Sequence, residues 1–122
     1  MTKTLYLRDL LLDTLKAYNV YANEAPEDAQ YPYAVIQLRP YNTDRMPQDG
    51  VLEINTWDSY KTYSRVDALM DNIEETIKDG QLFVDNEHHV SFRCFKGQRQ
   101  IVEDSDKHIK RIREQFSIRF TM

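Results

Sequence analysis

His88 and His89 stand side by side, with Asp85 and Glu87 next to them. Imidazoles and carboxylates are the usual ligands of zinc and related ions. The spacing argues against a metal site. Ligands on one element favour i,i+4 on a helix or i,i+2 on a strand, and the rings of adjacent residues diverge. A polar turn between strands accounts for the segment, and His108 is distant in sequence. Cys94, the single cysteine, alternates with Phe92 and Val90, as a small buried residue would, and nothing pairs it with a histidine that would make it a nucleophile. Asp58, Glu103, Asp104 and Asp106 have the chemistry to hold Mg²⁺ for phosphodiester cleavage. Their spacing does not set them apart from ordinary loop acids. With only three glycines in the chain, phosphate-cradling loops of the G-x-x-x-x-G-K-[ST] or G-x-G-x-x-G type are excluded, and G-x-S-x-G and H-E-x-x-H are absent. The sequence therefore predicts no catalytic residues, no metal and no cofactor.

Binding chemistry is better represented. Arg93, Lys96, Arg99, Lys107, Lys110, Arg111, Arg113 and Arg119 fall in the last third of the chain, where they could meet phosphates or an acidic partner. Residues 1–89 hold 8 basic and 16 acidic side chains, and residues 90–122 hold 8 basic and 4 acidic ones. Opposite charge at the two ends suits head-to-tail self-association between unlike faces. No segment combines basic residues with a groove-reading helix, so sequence-specific base readout is not expected.

The elements that position these residues read as α-β-β-α-β-β. Leu7, Leu10, Leu11, Leu15 and Tyr18 share one face of a helix over 3–19, with Leu5 and Leu12 off that stripe. Residues 20–31 read as a loop. Ala34, Ile36 and Leu38 alternate with Tyr33, Val35, Gln37 and Arg39 in a first strand that Pro40 stops. Residues 40–50 carry two prolines and Asp49-Gly50 and read as a long arm, which is usually functional. Val51 to Asp58 is a second strand. Val66, Leu69, Met70, Ile73 and Ile77 form the stripe of a second helix over 62–78, with Thr62 or Ser64 as cap and Gly80 at its exit. Leu82-Phe83-Val84 is a short apolar run. Val90 to Phe95 is a strand that Gly97 ends, and 97–107 is polar. In the final strand Ile112, Phe116, Ile118 and Phe120 oppose Arg111, Arg113, Ser117 and Arg119. This pattern predicts one α+β domain over 1–122, with a mixed or antiparallel four-stranded sheet and two helices on one face. The other sheet face, rich in Tyr, Trp, Arg and Asn, would lack a covering layer.

Length and composition agree with a single domain. A chain of 122 residues builds one core without disulfides or metals, and the lone cysteine fits a reducing compartment. The start, Met1-Thr2-Lys3-Thr4, leads directly into a charged amphipathic segment without a signal-peptide pattern. No apolar run approaches the roughly 20 residues that span a bilayer.

The order of these segments resembles the tail-completion or tail-terminator proteins of long-tailed bacteriophages. A leading amphipathic helix is followed by Tyr31-Pro32-Tyr33-Ala34-Val35-Ile36, a polar arm, and Val51-Leu52-Glu53-Ile54-Asn55-Thr56-Trp57-Asp58-Ser59. In that family a Pro-Tyr-Val-like strand start precedes a strand ending in Trp-Ser or a variant, then a helix and a closing strand pair. The sequence departs from the pattern in its long 40–50 arm and in Ala34, where valine is commoner. The resemblance implies a non-enzymatic virion assembly protein at the head–tail junction, put together in the host cytoplasm. Its subunits would form a homo-oligomeric ring, commonly a hexamer, that completes the tail tube and joins it to the head connector. DNA would pass through the lumen without specific recognition. The expected subunit and partner contacts are Tyr41, Asn42, Asp44, Arg45, Met46 and Gln48 on the arm, Trp57, and Arg111, Arg113 and Arg119 on the last strand. The competing expectation is a small nucleic-acid-binding or metal-dependent nuclease-like module using the basic last strand.

Overall fold

Leu7, Leu11 and Leu15 recur at helical spacing, and all three are completely buried. They anchor α1 (Lys3–Thr14) to a sheet. The computed structural model describes residues 3–40 and 48–121. α1 is shorter than the 3–19 expected, because its last turn tightens. The Thr14 hydroxyl donates back to the Leu10 carbonyl at 2.7 Å, and the Tyr18 N–H reaches the Leu15 carbonyl at 3.0 Å. Such back-bonding by Thr weakens and bends a helix end. Leu12 packs against the core after all, beside Leu10 and Tyr18.

The chain then forms β1 (Val20–Ala22), β2 (Tyr33–Pro40), β3 (Gln48–Ser59), α2 (Ser64–Ile77), β4 (Leu82–Asp85), β5 (Val90–Val102) and β6 (Ile109–Thr121). The fold is α+β, but the sheet has six strands rather than four, in the order β1-β2-β3-β6-β5-β4. β1 pairs parallel to β2 with Val20 opposite Ala34, and the remaining ladders are antiparallel. β1 lies inside the stretch read as a loop. Three residues are too few to display the two-residue alternation that marks a strand. β4 pairs with the first residues of β5.

Two further boundaries differ from the sequence reading. Asp49 and Gly50 are not a turn. β3 runs on through them because β6 is long enough to pair with both, Asp49 opposite Arg119 and Gly50 opposite Ile118. The side chains of Arg119 and Asp49 meet at 3.1 Å. Pro40 ends β2, as its sequence suggests, and is itself paired opposite Gly50. Gly97 does not end β5. It sits at a β-bulge between Phe95 and Gln98, beyond which the strand continues to Val102.

The core lies between the sheet and both helices. α2 buries Val66, Leu69, Met70, Ile73 and Ile77, the stripe its spacing predicts. Tyr63 stands at the N-cap without a side-chain cap bond, and Thr62 Oγ1 accepts only a long bond from the Ser64 N–H, at 3.4 Å, so most of the roughly 1 kcal/mol of a good cap is forgone. Burial of five apolar side chains, each contributing about 1.5–3 kcal/mol, far outweighs that loss. At the other end Lys78 adopts the left-handed exit conformation (φ 48°), with Gly80 following in the same region (φ 79°). α1 touches β1 at one sheet edge and β4 and β5 at the other, while α2 covers β2, β3 and β6. The sheet therefore curls around its two helices.

Candidate functional site

Among the described residues, both helices pack on one side of the sheet and leave the opposite face without a second layer. Register decides which side chains meet there. Tyr33 is opposite Trp57, and Trp57 opposite Arg111, so one rung crosses β2, β3 and β6. Tyr33 stacks on Trp57 at 5.6 Å and on Tyr31 at 5.4 Å. Tyr21 meets Tyr33 edge-on at 6.2 Å. The Arg111 guanidinium lies over the Trp57 ring at 4.8 Å. Aromatic pairs and cation–π contacts of this kind contribute about 0.5–1.5 kcal/mol each. Burial pushes the Tyr33 hydroxyl above its ordinary pKa, with a smaller contribution from neighbouring Tyr31.

The next rungs carry a polar network. Arg111 donates from Nε and Nη2 to Asn55 Oδ1 at 3.1 and 3.0 Å. Asn55 Nδ2 donates to Glu53 Oε2 at 3.2 Å. Gln115 reaches the other Glu53 oxygen at 3.4 Å, and Arg39 and Arg113 approach Glu53 at 3.7 and 4.0 Å. Arg113 also donates to Gln100 at 2.7 Å. Glu53, Asn55 and Val35 are buried although they face away from the helices. Long neighbouring side chains and the 23–25 loop enclose them, forming a groove of about 360 Å³ floored by Val35, Asn55 and Trp57. Toward β4 the same face presents Leu82, Val84 and Phe95, each more than 40% exposed. It thus joins an aromatic and polar end to an apolar end.

Of the contacts expected from sequence, Trp57, Arg111, Arg113 and Arg119 lie on this face. Gln48 opens β3. Tyr41, Asn42, Asp44, Arg45 and Met46 lie outside the described residues. The basic residues of the last third do not form one patch. Arg99 points to the helix side, where it pairs with Asp67, Asp71, Glu74 and Glu114 at 2.9–3.2 Å. Lys96 pairs with Glu74 at 3.5 Å, and Arg93 donates to the Gly80 carbonyl. Lys110 lies over Tyr63. These cations are largely matched within the chain.

The other candidates do not converge. Asp58 is buried and paired to Arg65 at 3.2 Å. Asp104 and Asp106 accept backbone N–H groups in the exposed β5–β6 connection. His88 bonds Asp85 at 2.7 Å and stacks on Tyr6 of α1 at 3.9 Å. The hydrogen bond to Asp85 raises the His88 pKa and lowers that of Asp85. His89 is exposed with a φ of 56°. No three His, Cys, Asp or Glu side chains among the described residues are arranged to hold a metal ion. Cys94 is fully buried, and burial pushes its thiol up to about 12. At pH 8 in the native protein, Cys94 should react with a thiol reagent at least about 100-fold more slowly than in urea, because both access and thiolate population are suppressed. Native and unfolded rates within a factor of ten would contradict that burial.

Sequence reasoning grouped Arg99 with the other basic residues and missed the cluster it forms with Asp67, Asp71, Glu74 and Glu114. The available signal was Gly97 inside an alternating pattern, which marks a bulge as often as a strand end.

No protein-family model matches the chain, and no curated protein sequence matches it. Its fold is similar to that of a chain in the solved structure described as the virion of a native gene transfer agent (GTA) particle. The TM-score is 0.60 at 13% identity, over 90% of this chain and 83% of that one. At that identity the likeness establishes the fold.

Proposed function

We propose that this chain is a structural subunit of a phage-like virion, acting at the head–tail junction. It assembles as a ring that completes the tail tube and meets the head connector, with DNA passing through the lumen. The role needs no catalysis. The observation that carries this reading is the agreement of fold, over nearly the whole chain, with a chain of a virion. The helix-free sheet face supports it. That face has an aromatic and polar end at Tyr33, Trp57 and Arg111 and an apolar end at Leu82, Val84 and Phe95. Two unlike patches on one subunit are what a closed heterologous ring requires. A nuclease or nucleic-acid module draws little support, because Asp58 does not converge with Asp104 and Asp106, the acids around Arg99 are taken up by that cation, and the arginines are matched internally.

Particle assembly in the absence of the chain provides the test. Heads and tails should accumulate without joining, and adding the purified protein should join them. Normal joined particles lacking the chain would overturn the proposal. Trp57→Ala should cut assembly at least about tenfold while the fold persists, since a central aromatic anchor contributes on the order of 2 kcal/mol to an interface. Sedimentation together with far-UV circular dichroism reads both quantities.

A further inference from the structure

The seam between α2 and the β5–β6 end of the sheet holds more carboxylates than cations. Asp67, Asp71 and Glu74 face it from α2, and Glu114 faces it from β6. Lys96 and Arg99 from β5 oppose them. Glu114 is fully buried. Arg99 takes one of its oxygens at 2.9 Å, while the other, Oε2, is buried and accepts no donor. Glu74 repeats the arrangement. Its Oε2 meets Arg99 at 3.0 Å, and its Oε1 is buried without a donor. Both carboxyl groups thus close on the one Arg99 guanidinium, and each keeps a buried oxygen without a donor beside it. Two ionised carboxylates offer each other no donor; a proton on one of them supplies it.

We propose that Glu74 and Glu114 share one proton, and that this proton latches α2 to the sheet. Protonation satisfies both orphan oxygens at once and leaves three of these four carboxylates charged against Lys96 and Arg99, with Glu75 and Asp79 lining the adjoining cavity beside Lys96. Deprotonation leaves both buried carboxylates charged beside one guanidinium, which low dielectric penalises heavily. Burial, then the hydrogen bond and charge of Glu74, push the Glu114 carboxyl up to about 7 even against Arg99. A carboxyl raised above its unfolded value binds its proton more tightly in the folded chain. Its contribution to stability is therefore intact below the ordinary glutamate range, and is lost as the pH rises from there through about 7. The latch is a property of the subunit and does not depend on the assembly role.

Urea denaturation of the wild type, Glu114→Gln and Glu74→Gln between pH 5 and 9 tests it, together with a carboxyl ¹³C titration of the wild type. One glutamate carboxyl of the pair should titrate near neutral pH. The wild-type folding constant should fall on the order of a hundredfold across that window. Glu114→Gln, a permanent hydrogen-bond donor, should flatten the curve and be the more stable protein at pH 8. His88, held by Asp85, adds a fall of the same sign, so the comparison with Glu114→Gln decides rather than the wild-type slope. Parallel curves for wild type and variant, or both carboxyls titrating below pH 5, would overturn the latch. Should Glu114→Gln fail to fold, Glu74→Gln and the wild-type titration give the same decision.

Discussion

Gly97→Ala is expected to lower stability by about 3 kcal/mol or more, among the largest effects a single methyl group produces. A Cβ at this position would stand 1.5 Å from the Gln115 carbonyl oxygen and 2.7 Å from its carbon. Both are backbone atoms of β6, paired on both sides by β3 and β5, and cannot move aside as a flexible side chain would. The only relief is to open the bulge. Phe95 pairs with Ser117 and Gln98 with Gln115, so Lys96 and Gly97 together oppose Phe116 alone. That extra residue changes the parity of the strand. It turns Arg99 and Ile101 to the side of Glu114 and Ile112. Without it Arg99 would swing to the helix-free face and leave its acids behind. Thermal unfolding should show a melting point lower by on the order of 10 °C or more. A change of under 2 °C would mean that the bulge is dispensable.

Arg99→Ala should rank with it. The guanidinium meets four carboxylates at 2.9–3.2 Å. Burial disfavours its charge, but hydrogen bonds to Glu114 and Asp71 and the field of Glu74 more than offset this, so its pKa is raised. Removing one partner of a buried ion pair costs about 3–5 kcal/mol, and here Glu114 and Glu74 would stay buried and unmatched, while the exposed Asp67 and Asp71 add little. The loss should be largest at pH 8 and smaller at pH 5, where Glu114 carries its proton. Arg99→Lys should fall between, since an ammonium cannot spread five donors over four acids. Urea midpoints at the two pH values measure this. Equal losses at both would show that the cluster does not respond to protonation.

These two residues also mark where the sequence stopped being legible. The stripe of α2 could be read in full, because its five apolar residues keep helical spacing and all become buried. The two faces of β2, β3 and β6 followed from their alternation. Two kinds of feature were hidden. β1 is too short to show a period and exists because β2 offers it an edge. The bulge at Gly97 breaks the alternation in β5, so one basic run was read where the structure divides it between two faces. The inward turn of Arg99 depends on β6 lying alongside, which local sequence does not encode. The rung Tyr33–Trp57–Arg111 combines residues each notable alone, joined only by registers set over the whole length of β3. Of the resemblance to tail-completion proteins, the structure supports the α+β class and the likeness to a chain of a virion. Six strands replace the four expected.

The central claim is that the helix-free face belongs against another subunit. Light scattering across a concentration series, alone and with the tail-tube protein that the proposed role would pair it with, measures it most directly. The account predicts a discrete mass several times that of one chain, which Trp57→Ala reduces to the single-chain value without loss of fold. A single-chain mass at every concentration, with and without the partner, would contradict it.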